Sequence, residues 1–355
     1  FNDKIIATEL DISGDIDVAG TTNLDAVDVD GAVNFAADVT FADGADIITA
    51  TAGNNNTRVG TNAGFSIASG GNSNVCIGDE AGRSLTTGDN NIAIGHEALY
   101  SENAHGQSIA IGYRALKAQD GGAEVQNTAI GFLAGQAINT GRENTILGGN
   151  AGDALTAGLL NVAIGNGSLG ADIRGAAATA VGYAALNSQS FNVGNTSDSN
   201  YNTGIGYLAG TNISSGVRNT IVGGEALYTA TDADYNTAVG FQALYSDHKG
   251  NKSTAVGYNA LVSQDFASST DAKNTAVGYS AGASVVDGSL NGTFIGTNSG
   301  LATTGNKNQF FGADAGSLVT SGGQNVILGR YNGNQGGLDI RTTSNNIVLS
   351  DGDGN

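Results

Sequence analysis

The stretch Asn127-Thr128-Ala129-Ile130-Gly131 decides how this chain folds. It returns in recognisable form sixteen times, its last glycine falling at Gly60, Gly78, Gly95, Gly112, Gly131, Gly148, Gly165, Gly182, Gly206, Gly223, Gly240, Gly257, Gly278, Gly296, Gly312 and Gly329. Nine of the fifteen intervals are 17 residues. A fixed period of that size means a solenoid, in which each small unit buries its apolar face against its neighbours because it cannot do so alone.

Counted from the asparagine, the unit reads Asn, β-branched, small, aliphatic, Gly, two variable residues, Ala, Gly or Leu, then a polar loop. The second position is Thr, Val or Ile in fifteen of sixteen units, and the fourth is always Val, Ile, Leu or Phe. That is strand chemistry. The third is mostly Ala but becomes Ile146, Ile221, Phe294, Phe310 and Ile327. A strand apolar on both faces needs cover on both. The interior of one coil supplies one cover, so the second face is expected to meet another chain. Asn holds the first position in twelve of sixteen units, which predicts a ladder of amides bonding coil to coil. The anchor glycine is expected to supply a conformation closed to other residues, or a close approach of neighbouring backbones. The ninth position divides into nine Gly and seven Leu, read here as two ways of turning the corner.

Composition agrees with the repeat. Of 355 residues 56 are glycine, and proline, methionine and tryptophan are absent. A chain without proline keeps every backbone N–H for its ladders. The net charge of −19 excludes phosphate-tracking nucleic-acid binding, which needs clustered Lys and Arg, and disfavours anionic membranes. No apolar run is long enough to insert in a membrane as a helix. The sequence opens at Phe1, not methionine, and is read as a segment of a longer chain.

Three zones follow. Residues 1–53 alternate apolar and polar residues, as in Leu10-Asp11-Ile12-Ser13 and Val27-Asp28-Val29-Asp30, and predict a β-rich intertwined stem shared with other copies. Residues 54–333 form the array of about sixteen coils. Residues 334–355 form a terminal cap or linker, in which Ile347-Val348-Leu349 fits a degraded seventeenth unit. Three intervals exceed 18 residues, at 19, 24 and 21, and place inserted loops at 117–126, 187–201 and 262–273, expected to protrude from one side.

Little in the chain points to catalysis, and no enzyme is expected. His96, His105 and His248 lack metal-ligand spacing and read as solvated loop residues. The single Cys76 occupies the small third position and reads as core or interface filler. No phosphate-binding Gly-x-x-x-x-Gly-Lys-Ser/Thr is present. The calcium-binding Gly-Gly-x-Gly-x-Asp nonapeptide is absent, and Asp351-Gly352-Asp353-Gly354-Asn355 lacks the remainder of an EF-hand loop. No cofactor or metal site is therefore assigned, with calcium the one ion the acidic surface could recruit. The aromatic residues carry more. Tyr113, Phe132, Tyr183, Tyr207, Phe241, Tyr258 and Tyr279 all follow an anchor glycine, so they are expected to stack in one row that contacts a glycan or protein receptor, or a neighbouring protomer. Phe191, Tyr201 and Phe266 in the inserted loops are further candidate contacts.

The run Asn-Thr-Ala-Val-Gly-Tyr-x-Ala-Leu/Gly, at 236–244 and 274–282, resembles the head repeats of trimeric autotransporter adhesins, and more closely the related repeats of marine bacteriophage tail fibres, cyanophages especially. The segment at 11–27, Asp-Ile-Ser-Gly-Asp-Ile-Asp-Val-Ala-Gly-Thr-Thr-Asn-Leu-Asp-Ala-Val, is similar to stems of the same fibres. The resemblance implies a homotrimer of parallel β-rolls, a place on the virion beside other tail proteins, and attachment to a host-surface glycan or protein. The unit of about 17 residues is longer than that of the adhesin heads, and neither coiled-coil stalk nor membrane anchor is visible. Three rivals follow: a bacterial cell-surface adhesin or extracellular filament; a glycan-degrading fibre, which would need paired carboxylates at a groove; and ice binding by regular Thr rows, disfavoured where Val, Ile or Gln replaces Thr.

Overall fold

The computed structural model describes residues 52–122, 125–190 and 199–354. The chain divides into two units, 1–47 and 48–355. All but the last two residues of the expected stem lie outside the described residues, as does Phe191.

The described part is an all-β parallel solenoid of about seventeen turns, without a helix among the described residues. Each repeat contributes one three-residue strand, from Thr57–Val59 through Thr128–Ile130 to Val326–Leu328, and every strand pairs in parallel with the equivalent strand of the next coil. The register is one to one; Thr128, Ala129 and Ile130 lie beside Thr145, Ile146 and Leu147. Ile347–Leu349 pairs with Val326–Leu328 as the seventeenth rung. Between those two strands, Asn334–Gln335 and Leu338–Asp339 form a small antiparallel hairpin.

Within a strand only the third position points inward. Ala93, Ala110, Ala129, Phe294 and Phe310 are buried, while the second and fourth positions face out and are half-buried or exposed. The opposite wall is thinner: isolated parallel bridges join Arg142, Leu159, Ala176 and Ser199, and Gly250–Asn251 pairs with Thr270–Asp271. Between the walls lies a single file of side chains per coil.

The anchor glycines are required on both counts expected of them. Their φ values lie between 114° and 141°, a region L side chains rarely adopt. A methyl group built on Gly131 would also sit 2.5 Å from the carbonyl oxygen of Gly148. The asparagine ladder forms too, but its main partner is backbone. The Asn144 amide N–H donates to Asn127 Oδ1 (2.9 Å), and Asn127 Nδ2 donates to the Gly141 carbonyl of its own coil (2.8 Å). Direct amide-to-amide bonds are fewer, as from Asn161 Nδ2 to Asn144 Oδ1 (3.1 Å). Each buried amide therefore serves a coil it joins and a loop it closes, which removes the cost of burying it.

The Gly or Leu choice at the ninth position is not a choice of turn. In the first fifteen units this residue has φ between 48° and 63°, whichever side chain it carries. What changes is how the core is filled. In these fifteen units a ninth-position Gly goes with an apolar residue three places on, as in Gly82 with Leu85, Gly135 with Ile138, Gly152 with Leu155 and Gly210 with Ile213; in one of them, Gly300, the partner is Thr303. A ninth-position Leu goes instead with Glu102, Gln119, Asp172, Gln189, Ala230, Asp247 or Gln264. The two side chains compete for one volume: a methyl built on Gly135 would lie 2.9 Å from Ile138 Cδ1. Holding Leu in the left-handed region costs about 1–2 kcal/mol, which burying it offsets with about 1.5–3 kcal/mol.

The first and third inserted loops are fastened rather than free. Val125 and Phe266 are both fully buried, outside the central core. Phe266 is therefore not a surface contact. The pairing of Thr270–Asp271 with Gly250–Asn251 holds that loop against the coil beneath, and burying a phenyl ring stabilises this arrangement by about 1.5–3 kcal/mol.

This competition for core volume is testable. Gly135→Leu alone is expected to destabilise the chain by about 1–3 kcal/mol through overpacking. Adding Ile138→Ala should recover most of that loss, read as non-additive shifts in chemical denaturation. Strict additivity would refute a shared volume.

Candidate functional site: aromatic stacks and buried clasps

Because the coils are in register, residues at one position of the unit line up along the solenoid. The sixth position, just after the anchor glycine, carries the predicted aromatic row, and all seven rings are on the surface. They do not form one continuous row. His96, Tyr113 and Phe132 form one stack, with centroids 5.4 and 5.3 Å apart and planes within 12°. Tyr183 and Tyr207 form a second at 5.5 Å. Phe241, Tyr258 and Tyr279 form a third at 5.6 and 5.1 Å. Gly149 and Asn166 separate the first two, and Gly224 separates the second from the third.

Further ladders escaped the sequence reading although their 17-residue spacing is visible in it. Tyr228 and Tyr245 stack at 5.2 Å with planes 4° apart. Tyr201, exposed as expected, lies on one side of the Arg218 guanidinium and Tyr235 on the other, at 6.0 and 5.3 Å. Tyr100 is likewise flanked by Arg83 and Lys117, each 5.6 Å from its ring centroid. Exposed cation–π contacts of this kind contribute about 0.5–1 kcal/mol each.

A buried polar device recurs three times and was not anticipated. Glu102, Asp172 and Asp247 are fully buried, and each accepts a hydrogen bond from a buried glutamine 17 residues on. Gln119 Nε2 donates to Glu102 Oε2 (2.9 Å), Gln189 Nε2 to Asp172 Oδ2 (2.7 Å), and Gln264 Nε2 to Asp247 Oδ2. Each glutamine oxygen then accepts from the ladder asparagine of the following coil: Asn127 at 2.9 Å, Asn202 at 2.9 Å and Asn274 at 2.8 Å. The units that carry these glutamines begin with Ser108, Ala178 and Ser253, so glutamine replaces the missing ladder amide. They are also the units followed by the three insertions. Every clasp thus spans a place where the 17-residue spacing breaks.

The first clasp has a histidine and a second acid beside it. Glu102, His105 and Asp120 have ligand atoms within 4.8 Å of one another, a set able to hold a divalent cation. His105 is thus no solvated loop residue: its Nδ1 lies 3.0 Å from Glu102 Oε1. That carboxylate already accepts from the Asn103 and His105 amides, both at 3.1 Å, and from Gln119. Its demands are met by the protein itself, and the set acts as a hydrogen-bonded clip. Cys76 is buried, and burial pushes its thiol up to about 11, which makes it unreactive filler.

Comparison of the chain with protein-family models, with curated proteins and with solved structures returned no match.

Burial pushes the Asp247 carboxyl up to about 6 from its ordinary 3.8, against the opposing bonds from Gln264 and Gly250. The folded chain thus holds this proton more tightly than the unfolded one. Its contribution to stability is fully present below pH 3.8, falls as pH rises towards 6 and stays low beyond. At about 1.4 kcal/mol per unit the swing is about 3 kcal/mol. Asp247→Asn should flatten this dependence, read as a smaller difference between unfolding midpoints at pH 4.5 and pH 7; an undiminished difference would contradict it.

Proposed function

We propose that this chain is a structural fibre protein of a virion tail or related appendage, a shaft that self-associates as a homotrimer and mediates attachment to a host surface. The observation that carries this reading is the outward face of the main sheet. Its second positions make a file of Thr, Val and Ile broken once, by Gln309, its fourth positions make a file of Val, Ile, Leu and Phe311, and Val59, Leu147, Ile205, Ile295 and Leu328 are exposed on it. Seventeen rungs at about 4.8 Å extend roughly 77 Å, and a three-residue strand is about 10 Å long, so the face offers roughly 770 Å². A stable interface takes about 800 Å² per partner. A face of that size with one wholly apolar file beside one of mostly threonine, on a protein of net charge −19, is a contact surface, and the partner most like it is another copy.

The likeness of the repeats to fibre and adhesin heads supports the same reading. Structural work also fits what the residues offer: ladders of amides and rings lend stiffness, and the buried carboxylates Glu102, Asp172 and Asp247 are tied into the clasps. The same face favours one other reading. Thr179, Thr203, Thr220, Thr237, Thr254, Thr275 and Thr293 form an uninterrupted outward file, a regular array able to order water. Self-association would cover that file, so the two readings exclude each other.

Sedimentation separates them. The chain is expected to sediment as a trimer, and the pair Val239→Lys and Val256→Lys to dissociate it by placing charges on the covered face. A folded monomer that produces thermal hysteresis in freezing solutions would overturn the fibre reading.

A further inference from the structure

We propose that the depression between the first and second aromatic stacks is a binding site for a neutral glycan. This deepens the attachment reading, on which it rests for its biological meaning. The depression has a volume of about 480 Å³ and is lined by Asn150, Asp153, Asn166 and Asn187 over a floor that includes Gly167 and Gly170. Of the sixth-position column only Asn166 lines it, so the depression lies beside the interval between the two stacks. Where Phe132 and Tyr183 stand at the sixth position, the intervening coils carry Gly149 and Asn166.

The ends of the stacks face the Gly149–Asn166 interval of that column, which borders the depression at Asn166; neither ring lines the depression itself. Rings on successive coils lie nearly parallel and one above the other, so their normals run close to the stacking direction. The free face of Phe132 therefore looks towards Gly149, and that of Tyr183 towards Asn166. Both rings are about half exposed, Phe132 at 55% and Tyr183 at 53%. Three coil spacings separate the two rings, about 14 Å. That is room for two or three sugar units, with apolar C–H faces against the rings and hydroxyls over the amides.

The polar groups select the ligand class. Asn187 Nδ2 donates to the Gly167 carbonyl (2.6 Å) and is held in place. The side-chain amides of Asn150 and Asn166 have no hydrogen-bond partner among the described residues, and each offers both a donor and an acceptor. Donor–acceptor pairs beside aromatic faces match hydroxyls on a ring with apolar faces. No Lys or Arg lines the depression, and Asp153 adds a carboxylate, so a sialylated, sulfated or phosphorylated ligand would be repelled.

Gly149 provides the decisive variant. Its φ is not in the left-handed region, and the nearest atom to a side chain built there is Asn166 Nδ2, the far end of a side chain, at 3.0 Å. Gly149→Tyr installs the residue found at this position in five other units, extending the first stack against Asn166 at the edge of the depression. The full chain and this variant would be probed on a printed array of neutral, sialylated and sulfated glycans, and the strongest neutral binder titrated calorimetrically. Neutral glycans should dominate, Gly149→Tyr and Asn166→Ala should each lower affinity at least tenfold with unfolding midpoints unchanged, and EDTA should have no effect. Should Gly149→Tyr fail to fold, Asn166→Ala carries the test. Absence of neutral-glycan binding, preference for anionic glycans, undiminished binding in the variants, or loss of binding in EDTA would each overturn the site. Host cells that still bind the Gly149→Tyr chain would overturn the site and leave the fibre reading standing. A chain that stays monomeric yet binds neutral glycans would do the reverse.

Discussion

The near-contact of backbones at successive anchor glycines is the constraint on which the rest depends. With no side chain at Gly131 and its equivalents, one coil sits directly on the next and the strands pair one to one. Any larger residue would need both a rare backbone conformation and space that the neighbouring carbonyl occupies. Since the coils cannot slip, every position of the unit becomes a column along the solenoid. Columns of asparagine become ladders and columns of aromatic residues become stacks. Both are consequences of register, because the same side chains at uneven spacing would meet nothing.

A second consequence is a core one side chain thick. There is no second layer to absorb a change in volume, so a large residue in a coil requires a small one in the same coil. The alternation of Gly with Ile138 and of Leu116 with Gln119 expresses this rule. It also explains where polar residues entered the interior. Once Leu fills the volume from the ninth position, the twelfth is free to carry a carboxylate or amide, provided that it is bonded. The clasps at Glu102, Asp172 and Asp247 use that freedom to hold coils together where inserted loops interrupt the regular spacing.

Much of this was legible in one sequence. The 17-residue spacing disclosed the coil, the third-position alanines its narrow interior, and the aromatic residues after seven of the anchors their place on one surface. The partnership of ninth and twelfth positions was equally visible but was read as a property of the turn, because propensity describes one residue at a time and volume belongs to a pair. Phe266 misled for a related reason: an inserted loop is ordinarily solvent-facing, and only the pairing of Thr270–Asp271 with the coil beneath buries its ring. The breaks in the aromatic row at Gly149 and Gly224 stood in the sequence as small residues, yet their meaning as gaps between ring faces needed the stacking geometry.

The sequence by itself determined the period, the strand in each unit, the parallel register and the residues that share a column, since all of these follow from spacing and from glycine's lack of a side chain. Tertiary structure decided which strand face is inside, which acids are buried and which rings end a stack. Those outcomes depend on the volume and hydrogen bonds that neighbouring coils supply, and a side chain's own chemistry does not record who its neighbours are.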